Sequence, residues 1–380
     1  MLSAILGTVA VVSAGINLWQ WWAAGRFPLH RRIFKSIPVG TLLPGATLLK
    51  PLKGADDETR SCLESWFVQD YRGPVQMLFG VADANDPVCE IVRDLQNRYP
   101  NRDSQLFICD PILGANAKVS TLTYLQREAK HPFWVISDAD VFAPPDLLTE
   151  MMSKFDPPNV ALVNCFYKLS PAKTIAMIWE NIGANADFWS QVCQSNSLKP
   201  MNFALGAVMG VRRGAVEMIG GFRPLLNQLA DDYQLGRRLA DSGKAIELCN
   251  VVVECREHAK GFVDVWKHQL RWARTIRVCQ AGPYFASILS NTTIWALLWM
   301  AISPLNNIAP LCLIVRTVTA MHNEFRLTQR LADAFESIFT FAKDLLQFAV
   351  WLCAFTGNSV VWRGQKFLVK RGGELVRIQG

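Results

Sequence analysis

The sequence lacks the cysteine and histidine spacings that build zinc sites. It holds five histidines and ten cysteines in 380 residues. The cysteines are scattered, and no two of them have the CxxC spacing typical of zinc sites. Several lie within apolar runs, where cysteine behaves as a small hydrophobe. These features favour a reduced, cytosolic environment for most of the chain.

Charged side chains are absent from two long stretches, residues 1–24 and 283–315. The first predicts a transmembrane helix over residues 1–25, since about 20 apolar residues cross a bilayer. A cleaved signal peptide is the alternative, but there the positive charge precedes the apolar core, whereas here Arg26 follows it. We therefore expect a retained anchor, with the bulk of the chain in the cytoplasm.

The second uncharged stretch predicts a transmembrane hairpin over residues 283–322, because it is about twice as long as one crossing requires. Pro304 and two asparagines interrupt it near its middle. Residues 323–362 are predicted to form an amphipathic and re-entrant membrane segment. Residues 363–380 are predicted to form a basic cytoplasmic tail.

The net charge of +7 is modest, and we expect no nucleic-acid partner. Basic side chains gather beside the apolar segments instead, which favours contact with an anionic membrane surface. These basic residues are Arg26, Arg31, Arg32, Lys35, Arg363, Lys366, Lys370 and Arg371.

Strand and helix patterns alternate between the apolar stretches, over residues 40–282. Helical spacing occurs over residues 57–71 and 87–99, among short apolar runs. Such alternation predicts an α/β domain with a mainly parallel sheet covered on both faces. The predicted strands are Ala46–Leu49, Val75–Val81, Leu106–Cys109, Phe133–Ser137 and Val160–Cys165.

Two carboxylates directly follow the apolar run Phe133–Ser137. Asp138 and Asp140 are one residue apart at the end of a predicted strand, which is where ligands collect in α/β proteins. Two hard oxygen ligands at this place suit Mg²⁺ or Mn²⁺, and such an ion can hold a diphosphate. A strand followed by a plain acidic turn is the alternative.

Three further candidates follow other predicted strands. Asp83 and Asp86 come after Val75–Val81 and are candidates for hydrogen bonding to a nucleotide. Asp86 alternatively caps the next helix, with Pro87 at its first position. Lys118 opens a helix whose N-terminus suits an anion, so it is a candidate phosphate ligand. An ordinary surface helix start is the alternative for Lys118.

The last two motifs lie on predicted helices. Asp231 and Asp232 begin one helix, where acidic residues are expected from the helix dipole alone, and one of them is a candidate general base. Residues 261–280 form a second helix that carries Arg271 and Trp272. These two are candidates for stabilising a leaving diphosphate and for walling an acceptor pocket. A basic interfacial helix with a Trp anchor is the alternative.

Taken in order, these residues resemble a known signature. Asp86, the Asp138-Ala139-Asp140 triplet, Asp232 and Arg271-Trp272 resemble the D, D, D, (Q/R)xxRW signature of membrane glycosyltransferases with a GT-A fold. Beyond the signature, Leu48-Leu49-Lys50-Pro51-Leu52-Lys53-Gly54 is similar to the opening of the ceramide glucosyltransferase family. The resemblance covers nearly the whole chain. One departure is His268, which stands where the signature has Gln or Arg.

The resemblance implies a GT-A domain that transfers glucose from UDP-glucose to the primary hydroxyl of ceramide, with inversion, at the cytoplasmic membrane face. It implies Asp232 as the general base, with Arg271 and Trp272 as further catalytic residues. It also implies a divalent metal, Mg²⁺ or Mn²⁺, on Asp138 and Asp140. The nucleotide-sugar-binding residues implied are Asp83, Asp86, Lys118 and Asp138.

Similarity to bacterial hopanoid-associated glycosyltransferases supplies an alternative, the transfer of N-acetylglucosamine from UDP-GlcNAc to a hopanoid lipid. A membrane scaffold with a degenerate transferase domain is the non-enzyme alternative, and the full set of carboxylates speaks against it. Under either enzyme hypothesis we expect an integral protein of the bacterial inner membrane with a cytoplasmic catalytic domain.

Overall fold

Apolar strands and amphipathic helices alternate along the chain in the computed structural model, which describes residues 1–32, 43–362, 365–370 and 372–378. Lys35, Arg363 and Arg371, three of the basic residues expected near the membrane surface, lie outside the described residues. The strands are β1 (Ala46–Pro51), β2 (Val75–Val81), β3 (Asp103–Ile108), β4 (Phe133–Ser137), β5 (Val141–Phe142), β6 (Val160–Leu169), β7 (Val208–Arg212), β8 (Ala245–Cys255), β9 (Ser359–Trp362), β10 (Gln365–Val369) and β11 (Leu375–Arg377).

The helices are α1 (Leu2–Arg26), α2 (Thr59–Phe67), α3 (Val88–Arg98), α4 (Ala117–Glu128), α5 (Leu147–Ser153), α6 (Ile175–Asn181), α7 (Trp189–Leu198), α8 (Arg213–Met218), α9 (Asp231–Asp241), α10 (Phe262–Cys279), α11 (Ala281–Ala286), α12 (Thr292–Ile302), α13 (Ile308–Thr328), α14 (Leu331–Glu336) and α15 (Thr340–Ala354). A π-helix spans Ile182–Phe188.

The chain divides into two compact units. The first, the sheet unit, comprises Leu29–Ser170 and Pro200–His258. The second, the helical unit, comprises Met1–Pro28, Pro171–Lys199 and Ala259–Gly380.

The described strands of the sheet unit form one eight-stranded sheet in the order β3-β2-β1-β4-β7-β6-β8-β5. The pairs β1–β2, β1–β4, β2–β3 and β6–β8 are parallel. This confirms the predicted α/β architecture with a mainly parallel sheet. Strands β1, β2 and β4 are almost wholly buried, as expected for a sheet covered on both faces. In the sheet, β1 lies between β2 and β4. The chain continues from β1 to β2 and β3 on one side and then crosses to β4 on the other side. The carboxyl end of β1 is therefore a topological switch point.

The helical unit contains the apolar helices. Among the described residues, two helices are long and apolar enough to cross a membrane, Leu2–Arg26 and Leu331–Ala354. The pair Ala281–Ser290 and Thr292–Ile302 meets the same test jointly but bends by 50°. Strands β9, β10 and β11 form a separate antiparallel sheet. Strand β9 belongs to the end of the predicted segment 323–362, and β10 and β11 belong to the predicted basic tail.

The predicted amphipathic and re-entrant segment 323–362 contains the candidate span Leu331–Ala354, and α13 extends to Thr328, past the predicted end of the hairpin at residue 322. The membrane boundaries stay predictions. Two charged residues interrupt the apolar pattern of the candidate span. Lys343 and Asp344 are only 6% and 2% exposed, and they pair with each other inside the protein. A paired and buried charge of this kind does not face lipid.

A buried network of four charges lies at the centre of the helical unit. Arg316 makes a bidentate contact with Asp187, at 3.0 and 2.8 Å, and its guanidinium also donates to Asp344 at 3.0 and 2.9 Å. Lys343 contacts both aspartates. The network joins the π-helix, α13 and α15, and its two positive and two negative charges balance. Such balance is needed because an unpaired buried charge is strongly destabilising.

Candidate active site

Strand β4 brings Asp138 and Asp140 to the carboxyl edge of the sheet, next to the end of β1. The two strands are parallel neighbours with Leu49 opposite Ile136. Lys50, the next residue in β1, is fully buried. Its Nζ donates to the Ser137 Oγ at 3.0 Å and to the Asp138 backbone oxygen at 2.5 Å.

Lys50 therefore fixes the backbone where the acidic triplet begins. Burial lowers the pKa of Lys50 to about 8, although Cys62 and Asp140 oppose this shift. Lys50 belongs to the segment that resembles the opening of the ceramide glucosyltransferase family, but no role was predicted for it. The available signal was a lysine inside an apolar strand, since lysine is almost never fully buried without a partner.

Lys118 links the two acidic motifs of the sheet unit. Helix α4 begins at Ala117 because the Asn116 side chain caps it, accepting the Val119 N–H. In the first turn, the Lys118 Nζ lies 2.6 Å from Asp138 Oδ1 and 3.4 Å from Asp231 Oδ2. Burial alone would lower the pKa of Lys118, but these carboxylates raise it well above its usual value. Lys118 is thus a permanent cation in the site, and its role as a phosphate ligand stays a prediction.

Asp231 and Asp232 begin α9, but their surroundings differ. The Asp231 side chain contacts Lys118 and accepts a hydrogen bond from Asn116 Nδ2 at 3.2 Å. Asp232 Oδ1 accepts only the neighbouring Tyr233 N–H, at 2.7 Å, among the contacts that the structure gives for its carboxylate. Burial raises the pKa of Asp232 to about 6, with a further rise from Asp231 and an opposing effect of Lys118. Asp232 is therefore ionised at neutral pH and is a stronger base than an ordinary aspartate.

Gly206 leaves the space that the Asp232 carboxylate occupies. A Cβ atom added at Gly206 would lie 2.7 Å from Asp232 Oδ2, which is closer than real Cβ contacts. A side chain at position 206 would therefore require the Asp232 carboxylate to move. The local pattern around Gly206 does not predict this contact, because the neighbour belongs to a helix that is distant in sequence.

Asp140 has the electrostatic environment expected of a cation ligand. Burial raises the pKa of Asp140 to about 7, and the carboxylates of Asp138 and Glu257 raise it further, while Lys50 opposes them. A bound divalent cation would relieve this concentration of negative charge.

The predicted metal fits this donor set. Among residues 1–32, 43–362, 365–370 and 372–378, no group of three or more His, Cys, Asp or Glu side chains is placed to hold a metal ion. Asp138 and Asp140 are the predicted side-chain ligands, and this stays a prediction. Mg²⁺ is usually held by one or two carboxylates, with waters and substrate phosphates completing its coordination. A cation on Asp138 would compete with the Lys118 ammonium, which contacts the same carboxylate.

Asp83 and Asp86 follow β2 at the same edge of the sheet. The Asp86 carboxylate accepts the N–H groups of Gly54, at 3.0 and 2.9 Å, and of Val88, at 3.0 Å. The bond to Val88 has the capping role proposed for Asp86, and the bonds to Gly54 tie the loop after β1 to the start of α3. Asp83 is exposed, and its carboxylate accepts the Asn85 N–H at 2.9 Å. Nucleotide contact by either residue stays a prediction.

Arg271 and Trp272 lie on α10 of the helical unit, as predicted. The His268 ring is 4.6 Å from that of Trp272, and its Nδ1 contacts the Glu180 carboxylate. Glu180 is 1% exposed. Burial would raise the pKa of Glu180, but His268 and Lys260 hold it below its usual value. The residue that departs from the signature is therefore anchored by a buried carboxylate, which sequence analysis missed. The catalytic roles of Arg271 and Trp272 stay predictions.

Among solved structures, a mannosyltransferase of Pyrobaculum calidifontis named PcManGT, determined with GDP-Man and Mn²⁺, is similar to this chain. The TM-score is 0.56 over 90% of this chain and 99% of that chain, at 18% sequence identity. At this identity the likeness concerns the fold alone. The likeness and the mainly parallel sheet show that the fold is of the GT-A class.

The chain belongs to glycosyl transferase family 21, whose model matches residues 3–375. Ceramide glucosyltransferase 3 of Caenorhabditis elegans is 26% identical over 224 residues, which are 57% of this chain and 46% of that protein. The ceramide glucosyltransferase of Candida albicans is 36% identical over 115 residues, which are 27% of this chain and 21% of that protein. The matched regions thus span about half the length of these relatives or less.

Proposed function

We propose that the protein transfers glucose from UDP-glucose to the primary hydroxyl of ceramide, with inversion at the anomeric carbon. The observation that carries this proposal is the Asp138–Lys118–Asp231 chain of contacts, which places Asp232 beside the strand-end carboxylates. In this proposal Asp138 and Asp140 form the cation site on the donor side, and Asp232 is the base on the acceptor side. The similarity to ceramide glucosyltransferases supports glucose and ceramide as the substrates.

In the proposed reaction, Asp232 accepts the proton of the lipid hydroxyl as that oxygen attacks the sugar. Lys118 keeps Asp231 and Asp138 in place, and Lys50 holds the backbone before the triplet. Asp138 and Asp140 would hold Mg²⁺ or Mn²⁺, which when bound neutralises the diphosphate as it leaves. Arg271 would add positive charge to the leaving group, and Trp272 would form a wall of the acceptor pocket. Asp83 and Asp86 would contact the nucleoside.

The proposed location is the cytoplasmic face of a bacterial inner membrane. The candidate span Leu2–Arg26, with Arg26 in its last turn, supports this orientation by the positive-inside rule. Asn101 is exposed in the sheet unit and suits a cysteine-labelling test. A cysteine introduced there should resist an impermeant reagent in intact cells and react after lysis, and labelling in intact cells would refute the orientation.

The test of substrate choice uses the purified protein in lipid nanodiscs. We expect UDP release and formation of glucosylceramide from UDP-glucose and ceramide with Mg²⁺ or Mn²⁺, as measured by mass spectrometry, and no transfer after EDTA treatment. A strong preference for UDP-N-acetylglucosamine with a hopanoid acceptor would replace this proposal with the hopanoid alternative. Absence of transfer with both donor and acceptor pairs would refute both.

A further inference from the structure

An open apolar cavity of about 520 Å³ is lined by residues of the helical unit. Its walls include Ala176 and Trp179 of α6, Phe262 of α10 and Leu346 of α15. This volume lies in the range of small-molecule sites, which are concave and mostly apolar. The roles assigned above to the signature residues do not use this cavity.

The surroundings of the cavity indicate a hydrocarbon chain as its occupant. Leu346 belongs to the candidate membrane span Leu331–Ala354, so one wall comes from a helix that is itself suited to lipid. Two lining residues are exposed, Ile175 at 87% and Phe262 at 50%. Large exposed apolar side chains beside an apolar cavity mark a lipid or ligand contact rather than a water-facing surface.

A polar group lies beside one end of the cavity. Lys260 lines the cavity, and its Nζ is 3.6 Å from Glu180 Oε2. This buried oxygen accepts no hydrogen bond from the described part of the chain. The other Glu180 oxygen contacts His268 and lies 3.3 Å from Gln269 Nε2. Lys260 therefore brings a charged donor, backed by a buried carboxylate, to this part of the cavity.

Helix α10 connects the cavity to the predicted catalytic pair. Phe262 begins the helix and Arg271 follows nine residues later, which is a rise of about 14 Å at 1.5 Å per residue. His268 lies between them, and its ring is tilted against that of Trp272 at 4.6 Å. Helix α10 thus carries a lining residue of the cavity, the histidine that contacts Glu180 and the predicted catalytic pair.

We propose that this cavity binds one hydrocarbon chain of the lipid acceptor, with the polar head of the lipid toward Glu180 and His268. The inference rests on the proposed function for the identity of the acceptor, and it assigns to that acceptor a site that the signature residues do not define.

The test fills the cavity. Ala176→Phe places a ring in the lining, whereas Ala286→Phe makes the same change at an exposed position of the helical unit outside the lining. With ceramide of natural chain length, Ala176→Phe should raise the acceptor KM about tenfold, as differences of a few methylene groups in a pocket do. The KM for UDP-glucose, and turnover of a ceramide with both chains truncated, should stay within about twofold of wild type. Ala286→Phe should change none of these values.

Equal losses with natural and truncated ceramide, or no loss with either, would overturn the proposal. A second readout needs no sugar transfer. A ceramide with a diazirine at the end of its acyl chain should label the peptides that contain Trp179 or Phe262, and Ala176→Phe should reduce this labelling. Equal labelling by a diazirine phosphatidylcholine would indicate surrounding bilayer lipid and would also overturn it. If the labelling occurs as expected but no glucose is transferred, the proposed function fails while the cavity assignment stands.

Discussion

The Lys118 Nζ lies 2.6 Å from Asp138 Oδ1 and 3.4 Å from Asp231 Oδ2. One ammonium group therefore joins the proposed cation site to the helix that carries the proposed base. An ammonium and a divalent cation would compete for the Asp138 carboxylate, so changes at Lys118 should affect metal binding. The positive charge of Lys118 also lowers the pKa of Asp232, so the same changes should raise that pKa.

The first prediction concerns metal affinity. Lys118→Met removes the competing charge from Asp138, so Mn²⁺ should bind about tenfold more tightly, a factor equivalent to one charge-assisted hydrogen bond of about 1.4 kcal/mol. Electron paramagnetic resonance of free Mn²⁺ measures the dissociation constant. Lys118→Arg keeps the charge and serves as the control. Unchanged or weaker Mn²⁺ binding in Lys118→Met would show that Asp138 is not a ligand for which Lys118 competes.

The second prediction concerns the space beside the base. Gly206→Ala places a methyl group only 2.7 Å from Asp232 Oδ2 and should displace the carboxylate. A misplacement of about 1 Å can reduce turnover by roughly 10²-fold. Gly214→Ala is a matched control, since a Cβ there meets nothing within 4 Å. Circular dichroism should show both variants folded, and full activity of Gly206→Ala would contradict the placement of Asp232.

The third prediction is an acidic limb in the pH profile. Asp232 must be ionised to accept a proton, and its pKa is raised to about 6, so kcat/KM should rise with pH through about 6 and then level off. Lys118 opposes this rise in the pKa of Asp232. Lys118→Met should therefore move the limb to higher pH. A limb near pH 4, or one that Lys118→Met moves to lower pH, would be inconsistent with this electrostatic account.

The same shift has a consequence for stability. The folded protein binds the Asp232 proton more tightly than the unfolded chain does, so the stability contributed by this group falls as pH rises from 3.8 to about 6.

The fourth prediction concerns the charge network of the helical unit. Arg316→Met leaves Asp187 and Asp344 with Lys343 as their remaining cation in the network. Breaking a buried ion pair from one side costs about 3–5 kcal/mol, so thermal unfolding in detergent should begin at a much lower temperature. The exposed pair Arg213–Glu217 offers a control, because Arg213→Met should have a small effect. Similar unfolding temperatures for the two variants would argue against a structural role for the network.

The sequence was a good guide to the sheet and to the acidic motifs, because both depend on local patterns. Apolar runs of strand length predicted β1, β2 and β4, and parallel pairing then required that Asp86 and Asp138 lie at one edge. The prediction of which aspartate, Asp231 or Asp232, is the general base did not depend on a local pattern. Spacing alone left both open, and it was the family resemblance that favoured Asp232. Only the tertiary contacts of Asp231 with Lys118 and Asn116 give a physical reason for the choice.

Long-range contacts account for what was not predicted. Lys50, Gly206 and Glu180 obtain their roles from partners that are distant in sequence: Ser137, Asp232 and His268 respectively. The spacing of apolar residues along the sequence does not predict contacts between residues so far apart.

The candidate span Leu331–Ala354 was predicted as two pieces, an amphipathic segment and a shorter apolar run. Lys343 and Asp344 separate these pieces in the sequence, and only the structure shows that Arg316 and Asp187 pair with them.

The central claim is that Asp232 is the general base, and the direct test is the turnover of Asp232→Asn beside that of Asp231→Asn. Asparagine keeps the size of the side chain but cannot accept the proton. Losing a general base costs roughly 10²–10⁴ in rate, whereas losing a helix cap costs only about 0.5–2 kcal/mol of stability.

The quantity to measure is the rate of glucosylceramide formation at saturating UDP-glucose and ceramide. UDP-glucose binding and thermal unfolding serve as controls. The account predicts that Asp232→Asn is folded, binds UDP-glucose nearly as the wild type does and turns over at least about 10²-fold more slowly, while Asp231→Asn loses far less. Near-wild-type turnover in Asp232→Asn would contradict the assignment, and an inactive but folded Asp231→Asn would move the base to the preceding residue.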